Sequence, residues 1–197
     1  MPPFEPVDEE AALDRLREGS ALVTVNQRLA RFFLHAYALR QQELGNPVFV
    51  TPWIQPFSGW VQDLLDSGQP RTGETEPIPL SRFQELMLWE EVLSRSELAG
   101  GLLRIPPAAQ SAGDAWALCC EWRIPWHELD AFDQDQDTRA FTSWARDFAA
   151  ACEAGSWLDH SRIPDRVIRL LDEDRLSPPQ EIILCGFDEY TPQQMEL

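Results

Sequence analysis

The sequence predicts an α/β fold in which a short parallel sheet is interrupted by a large all-helical insertion. Three observations carry this. Ala21-Leu-Val-Thr-Val25 is an apolar run rich in β-branched residues and too brief for a helix, and it runs straight into Asn26. A second run of this kind, Glu181-Ile-Ile-Leu-Cys-Gly186, comes only near the end of the chain. Between the two, residues 54–178 show mainly helical periodicity.

The elements follow in order. Asp8 is placed to cap a short helix with Leu13 and Leu16 inward, and Gly19 stops it. After the Ala21–Val25 strand, Asn26 is an N-cap, because its side chain can accept from a free amide of the first turn. Leu29, Phe32, Phe33, Ala36 and Tyr37 then recur at helical spacing, and Gly45-Asn46 is a C-cap signal. Pro47-Val-Phe-Val-Thr-Pro52 reads as a second strand, which makes a βαβ unit with parallel neighbours.

Beyond Pro52 the pattern turns helical. Phe57, Trp60, Val61, Leu64 and Leu65 form one face, with Ser58 as the expected cap. Residues 67–79 read as a surface loop, and Ser81-Arg-Phe-Gln84 as a capping box opening a helix that Gly100-Gly101 ends. Pro106 or Pro107 starts the next helix, Asp137 or Thr138 another, and Pro164 a last one. Thr191-Pro192 is a cap and first-turn proline, followed by only five more residues. So short a helix is not stable alone, which leads us to expect a chain cut from a longer protein.

Composition narrows the function. The chain has 197 residues, enough for a full core, and is 44% hydrophobic with eight Trp. No run of about 18 apolar residues is present, so no membrane contact is expected, and the Met1–Pro6 start lacks the features of a signal peptide. Four cysteines without a C-x-x-C pair fit a reduced, cytoplasmic chain. The net charge of −17 disfavours a free-standing duplex-DNA binder. All sixteen basic residues are arginine, so any chemistry that requires a lysine is excluded.

A P-loop needs glycines, a lysine and a Ser/Thr, and Thr24-Val-Asn-Gln-Arg28 supplies neither glycine nor lysine. Asp188-Glu189 could hold a metal, but a polar turn is the simpler reading. Asp130, Asp133, Asp135 and Asp137 superficially resemble a calcium loop. Counted from Asp133, however, the places that need Gly and Glu hold Thr138 and Trp144. His35, His127 and His160 match no zinc spacing. No catalytic residue, metal site or cofactor is therefore expected. Asn26, Arg28 and Arg31 at the helix start are the best phosphate contacts, and Trp53 beside the second strand is a further candidate.

Leu22-Val-Thr-Val-Asn-Gln-Arg-Leu-Ala-Arg31, Val50-Thr-Pro-Trp53 through Trp60, Leu80 through Glu90, and Gly186-Phe-Asp-Glu-Tyr-Thr-Pro-Gln-Gln194 resemble the N-terminal region of AddB/RecB-related bacterial DNA repair proteins. That family pairs a degenerate helicase-like region with a C-terminal PD-(D/E)XK nuclease. The resemblance implies a partial, parallel RecA-like sheet (a degenerate P-loop helicase core) over residues 1–53 and 179–197, with the helical insertion over 54–178. It places residues 24–31 where single-stranded DNA is touched, and Gly186, Phe187, Asp188 and Glu189 at a degenerate Walker B turn. The implied role is non-catalytic: the chain positions single-stranded or unwinding DNA for a nuclease domain outside it. Partners would be the rest of the parent chain or a nuclease/helicase subunit. The alternatives are an assembly module of a repair complex without DNA contact, and an ATP-driven motor.

Overall fold

A computed structural model describes residues 6–68, 76–97, 104–131 and 135–197. The chain divides into two compact units, Met1–Gly68 with Asp174–Tyr190, and Gln69–Glu173 with Thr191–Leu197. The boundary drawn from the sequence put 54–68 with the helices and 191–197 with the sheet. In the structure each of these pieces belongs to the other unit.

The first unit is α/β. Helix α1 (Glu9–Arg17) is capped by Asp8, whose carboxylate accepts from the Ala11 amide. Strand β1 (Ala21–Thr24) is buried at every position, as expected for a central parallel strand. Helix α2 (Gln27–Glu43) begins at Asn26, whose side chain accepts from the Leu29 amide at 2.9 Å. At its other end Gly45 takes φ +76, and the amides of Gly45 and Asn46 close on the carbonyls of Gln42 and Gln41.

The second strand is not where the sequence put it. Strand β2 is Ile54–Pro56, while Val48 and Val50 are 89% and 88% exposed. Pro47 and Pro52 bracket the earlier run and lack the amides a ladder needs. Ile54 is 4% exposed and brings the burial that Val48 and Val50 do not. Strand β5 (Ile182–Cys185) completes a parallel sheet in the order β2-β1-β5, with Leu22 opposite Ile54 on one side and Ile183 on the other. The expected pairing of the first and last apolar runs is therefore present. Helix α3 (Phe57–Ser67) starts directly after β2 with no side-chain cap, so Ser58 lies inside its first turn. Leu13, Leu16, Leu22, Ala30, Phe33, Tyr37, Ile54 and Ile183 make the core of this unit.

The second unit is mostly helical. Helix α4 (Arg82–Arg95) opens with the predicted capping box, in which Ser81 and Gln84 satisfy each other's backbone. Helix α5 (Ile105–Glu121) has proline in its first turn, and α6 (Gln136–Ala154) is capped by Asp135, earlier than predicted. Gly100-Gly101, Asp133 and residues 69–75 of the predicted surface loop lie outside the described residues. Strands β3 (Ile78–Pro79) and β4 (Trp157–Leu158), unforeseen in the sequence, form a small parallel ladder. The core is built on Trp89, stacked on Phe148 at 3.9 Å and met edge-on by Trp116.

Helix α7 (Ile163–Asp172) and the terminal α8 (Pro192–Glu196) finish the chain. The short α8 does not stand alone. Arg123 pairs with its Glu196, and Gln193 donates to the Ser161 carbonyl and to Asp165. Among the described residues no helix is long and apolar enough to cross a membrane.

Candidate functional site

In open parallel sheets, ligands gather outside the carboxyl ends of the strands, where the strand order reverses. The chain leaves β1 towards β2 on one side, while β5 lies on the other. The carboxyl ends of β1 and β5 flank such a reversal, and they are tied together. Thr24 is opposite Cys185, and the Val25 amide donates to the Cys185 carbonyl at 3.1 Å. The buried Thr24 hydroxyl donates to the Asn26 carbonyl at 2.9 Å, with Gln55 of β2 also in reach, so it joins all three elements at this edge.

Aromatic rings gather at this edge of the sheet. Phe57 follows β2 and Phe187 follows β5, so they stand on opposite sides of β1, yet their centroids are 6.4 Å apart in an edge-to-face contact. Trp60 packs on Phe57 at 6.1 Å, and Tyr190 stacks on Phe187 at 5.4 Å. Gly186 makes the turn possible. Its φ is +83, and a Cβ there would lie 2.6 Å from Leu29 Cδ2 and 3.1 Å from Val25 Cγ1. Asp188 and Glu189 point outward from this turn and are exposed. Among the described residues no three His, Cys, Asp or Glu side chains converge as metal ligands.

Asn26, Arg28 and Arg31 come together on the exposed first turns of α2. Asn26 spends its side-chain oxygen on the helix cap, and among the described residues neither arginine is held in an ion pair. Trp53 is half-buried, and its carbonyl accepts from the Leu22 amide. The third arginine of the helix, Arg40, is bound to Glu10 at 3.1 Å.

In sequence, the chain matches no protein-family model and no curated protein. The site must therefore be judged on its chemistry.

That chemistry is set by an uneven distribution of charge. The stretch from Ser20 to Gln62 holds one carboxylate, Glu43, of the chain's 33, against Arg28, Arg31 and Arg40. Its net charge is +2 in a chain of −17. Phe32 was expected on the inner face of α2, but it is 52% exposed. It follows Arg28 by one turn and precedes exposed His35 by another, so the three share one stripe of the helix. Inside, its edge meets buried Phe33 at 5.4 Å. The absence of acids from this stretch was readable in the sequence. The outward turn of Phe32 was not, because Phe32 and Phe33 fit the helical period almost equally well.

Proposed function

We propose that the unit formed by residues 1–68 and 174–190 is a non-catalytic, RecA-like, helicase-type domain of a DNA repair exonuclease. It holds single-stranded DNA for a nuclease domain outside this chain. One observation carries the reading: an acid-free, arginine-bearing helix start at the carboxyl edge of a parallel sheet, in a chain that is acidic elsewhere. Such segregation lowers the repulsion of a polyanion at this helix start, where the exposed Asp188 and Glu189 of the neighbouring turn are the acids it meets. Arg28 and Arg31 serve as phosphate contacts, and Phe32, one turn after Arg28 and next to Arg31, offers a ring on which a base can stack without regard to sequence. The loss of a motor is supported by the missing lysine and glycines after β1 and by the aromatic cluster of Phe57 and Phe187.

The test is single-stranded DNA binding by the full chain, followed by fluorescence anisotropy across salt concentrations. Affinity falls with salt, and the Arg28→Ala/Arg31→Ala variant flattens the slope by about 1.4, as two lost contacts to a single strand require. An absence of salt-dependent binding, or a slope the variant does not change, rejects the proposal.

A second reading, a module that packs on another subunit without touching DNA, draws on the exposed Leu39, Leu44, Val48 and Val50 of the same unit. It predicts that substitutions at Val48 and Val50 disturb assembly while DNA binding is absent.

A further inference from the structure

Helix α4 carries two apolar faces, and only one is used in the core. Leu88, Trp89, Val92 and Leu93 are buried. Phe83 and Met87, one turn apart, are 71% and 48% exposed. They open onto a groove of about 690 Å³, walled by Ile105 at the start of α5 and by Trp157 of β4, with Glu90 and Glu91 at its side. Its lining follows α4 from Phe83 to Ser94, which at the helical rise is about 16 Å, or three turns.

The chemistry of the walls selects the occupant. Among the described residues no arginine lines the groove. Glu90 has no ion-pair partner among the described residues, and Glu91 pairs only with Arg95 of its own helix. A polyanion is repelled here. A small polar ligand finds few free groups, since the Gln84 carbonyl oxygen is already taken by the Ser81 amide and hydroxyl. What fits is an elongated apolar face flanked by positive charge. We propose that this groove is a docking site for a basic amphipathic helix of a partner protein. Apolar residues at helical spacing fill the channel over Phe83 and Met87, and a Lys or Arg meets Glu90. The proposal stands apart from the DNA reading, which concerns the other unit.

The probe is a fluorescein-labelled synthetic helix of about eighteen residues, with Leu on one face and Lys on the other, added to the full chain at about 150 mM salt. The protein binds it. Phe83→Ser with Met87→Ser weakens binding about tenfold or more, Glu90→Lys weakens it too, and Phe32→Ser on α2 has no effect. Both groove residues are exposed, so circular dichroism of the variant stays unchanged. A peptide of the same composition in scrambled order binds as weakly as the variant. Equal binding of the scrambled peptide, or no loss in the Phe83/Met87 variant, would mean generic attraction to an acidic protein and overturns the proposal.

Discussion

Leu29 occupies the space that a side chain at position 186 would need. A Cβ on Gly186 would come within 2.6 Å of Leu29 Cδ2, so the turn after β5 closes directly on the first turn of α2. The two loops that would face a ligand in an open α/β sheet are thus one packed structure, and they are expected to fail together.

Gly186→Ala places a methyl group at φ +83 against Leu29 and Val25. The Leu29 methyl can give way but the backbone strain remains, so we expect a loss of about 1–3 kcal/mol. Urea unfolding of the full chain measures it, and a stability equal to wild type would contradict the geometry.

Phe32→Ala removes a ring that contributes little to the core. Stability should hardly change, whereas single-stranded DNA affinity should fall by about 1–3 kcal/mol per stacked base with the salt slope intact. Anisotropy at several salt concentrations separates this from loss of Arg28 or Arg31, which lowers the slope.

Asp159 is fully buried. It accepts from the Trp116 indole at 3.0 Å and the Ser161 amide at 3.1 Å, and pairs with Arg162, whose guanidinium lies over the Trp116 ring. Asp159→Ala leaves the Trp116 and Ser161 donors unpaired and removes the carboxylate that balances a partly buried guanidinium, at a cost of about 3–5 kcal/mol. Asp159→Asn keeps an acceptor for Trp116 and should cost less. Chemical denaturation of the two variants gives the order.

Glu181 receives the Ser20 hydroxyl at 2.6 Å and the Arg15 guanidinium at 2.6 Å. The Ser20 hydrogen bond above all, with Arg15, holds its carboxyl below the usual glutamate range. A lowered folded-state value means that the stabilisation is complete above the unfolded value near 4.5 and disappears as pH falls through the folded one. Glu181→Gln should therefore flatten the decline of melting temperature below about pH 4.5. A parallel curve for wild type and variant would exclude this link.

Cys152 is buried, and burial first, then the Asp159 charge, pushes its thiol up to about 12. At pH 8 its thiolate fraction is about one in ten thousand, so iodoacetamide should label it only when the chain unfolds. Mass spectrometry of native and urea-treated protein reads this directly.

Much of this architecture was legible locally. The Asn26 and Ser81 caps and the Thr191-Pro192 start depend on side chains within one turn of the backbone groups they satisfy, and the Gly45 helix end on a backbone conformation that glycine adopts freely. The β1 run was recognisable because a strand buried on both faces is apolar without alternation, and the β5 run was recognisable by its apolar, β-branched composition, although Ile183 alone of its four residues is buried. The second strand was misplaced because Val48-Phe-Val50 has better strand composition than Ile54-Gln-Pro56. Propensity does not reveal which run finds a partner with free amides. Ser58 and Asp137 were assigned to helix starts on composition, whereas β2 running straight into α3 and the Asp135 cap put both boundaries upstream.

The functional candidates divide in the same way. By itself the sequence determined that no lysine chemistry is available, that no phosphate loop follows β1, and that Ser20–Gln62 is nearly free of acids. These are counts of residue types, and no fold can alter them. Only the tertiary structure decided that Phe57 and Phe187 meet across the end of β1, that Phe32 faces solvent, and that α4 keeps a second apolar face open beside Trp157. Each of these depends on which distant elements cover a given side, and local periodicity carries no information about that choice.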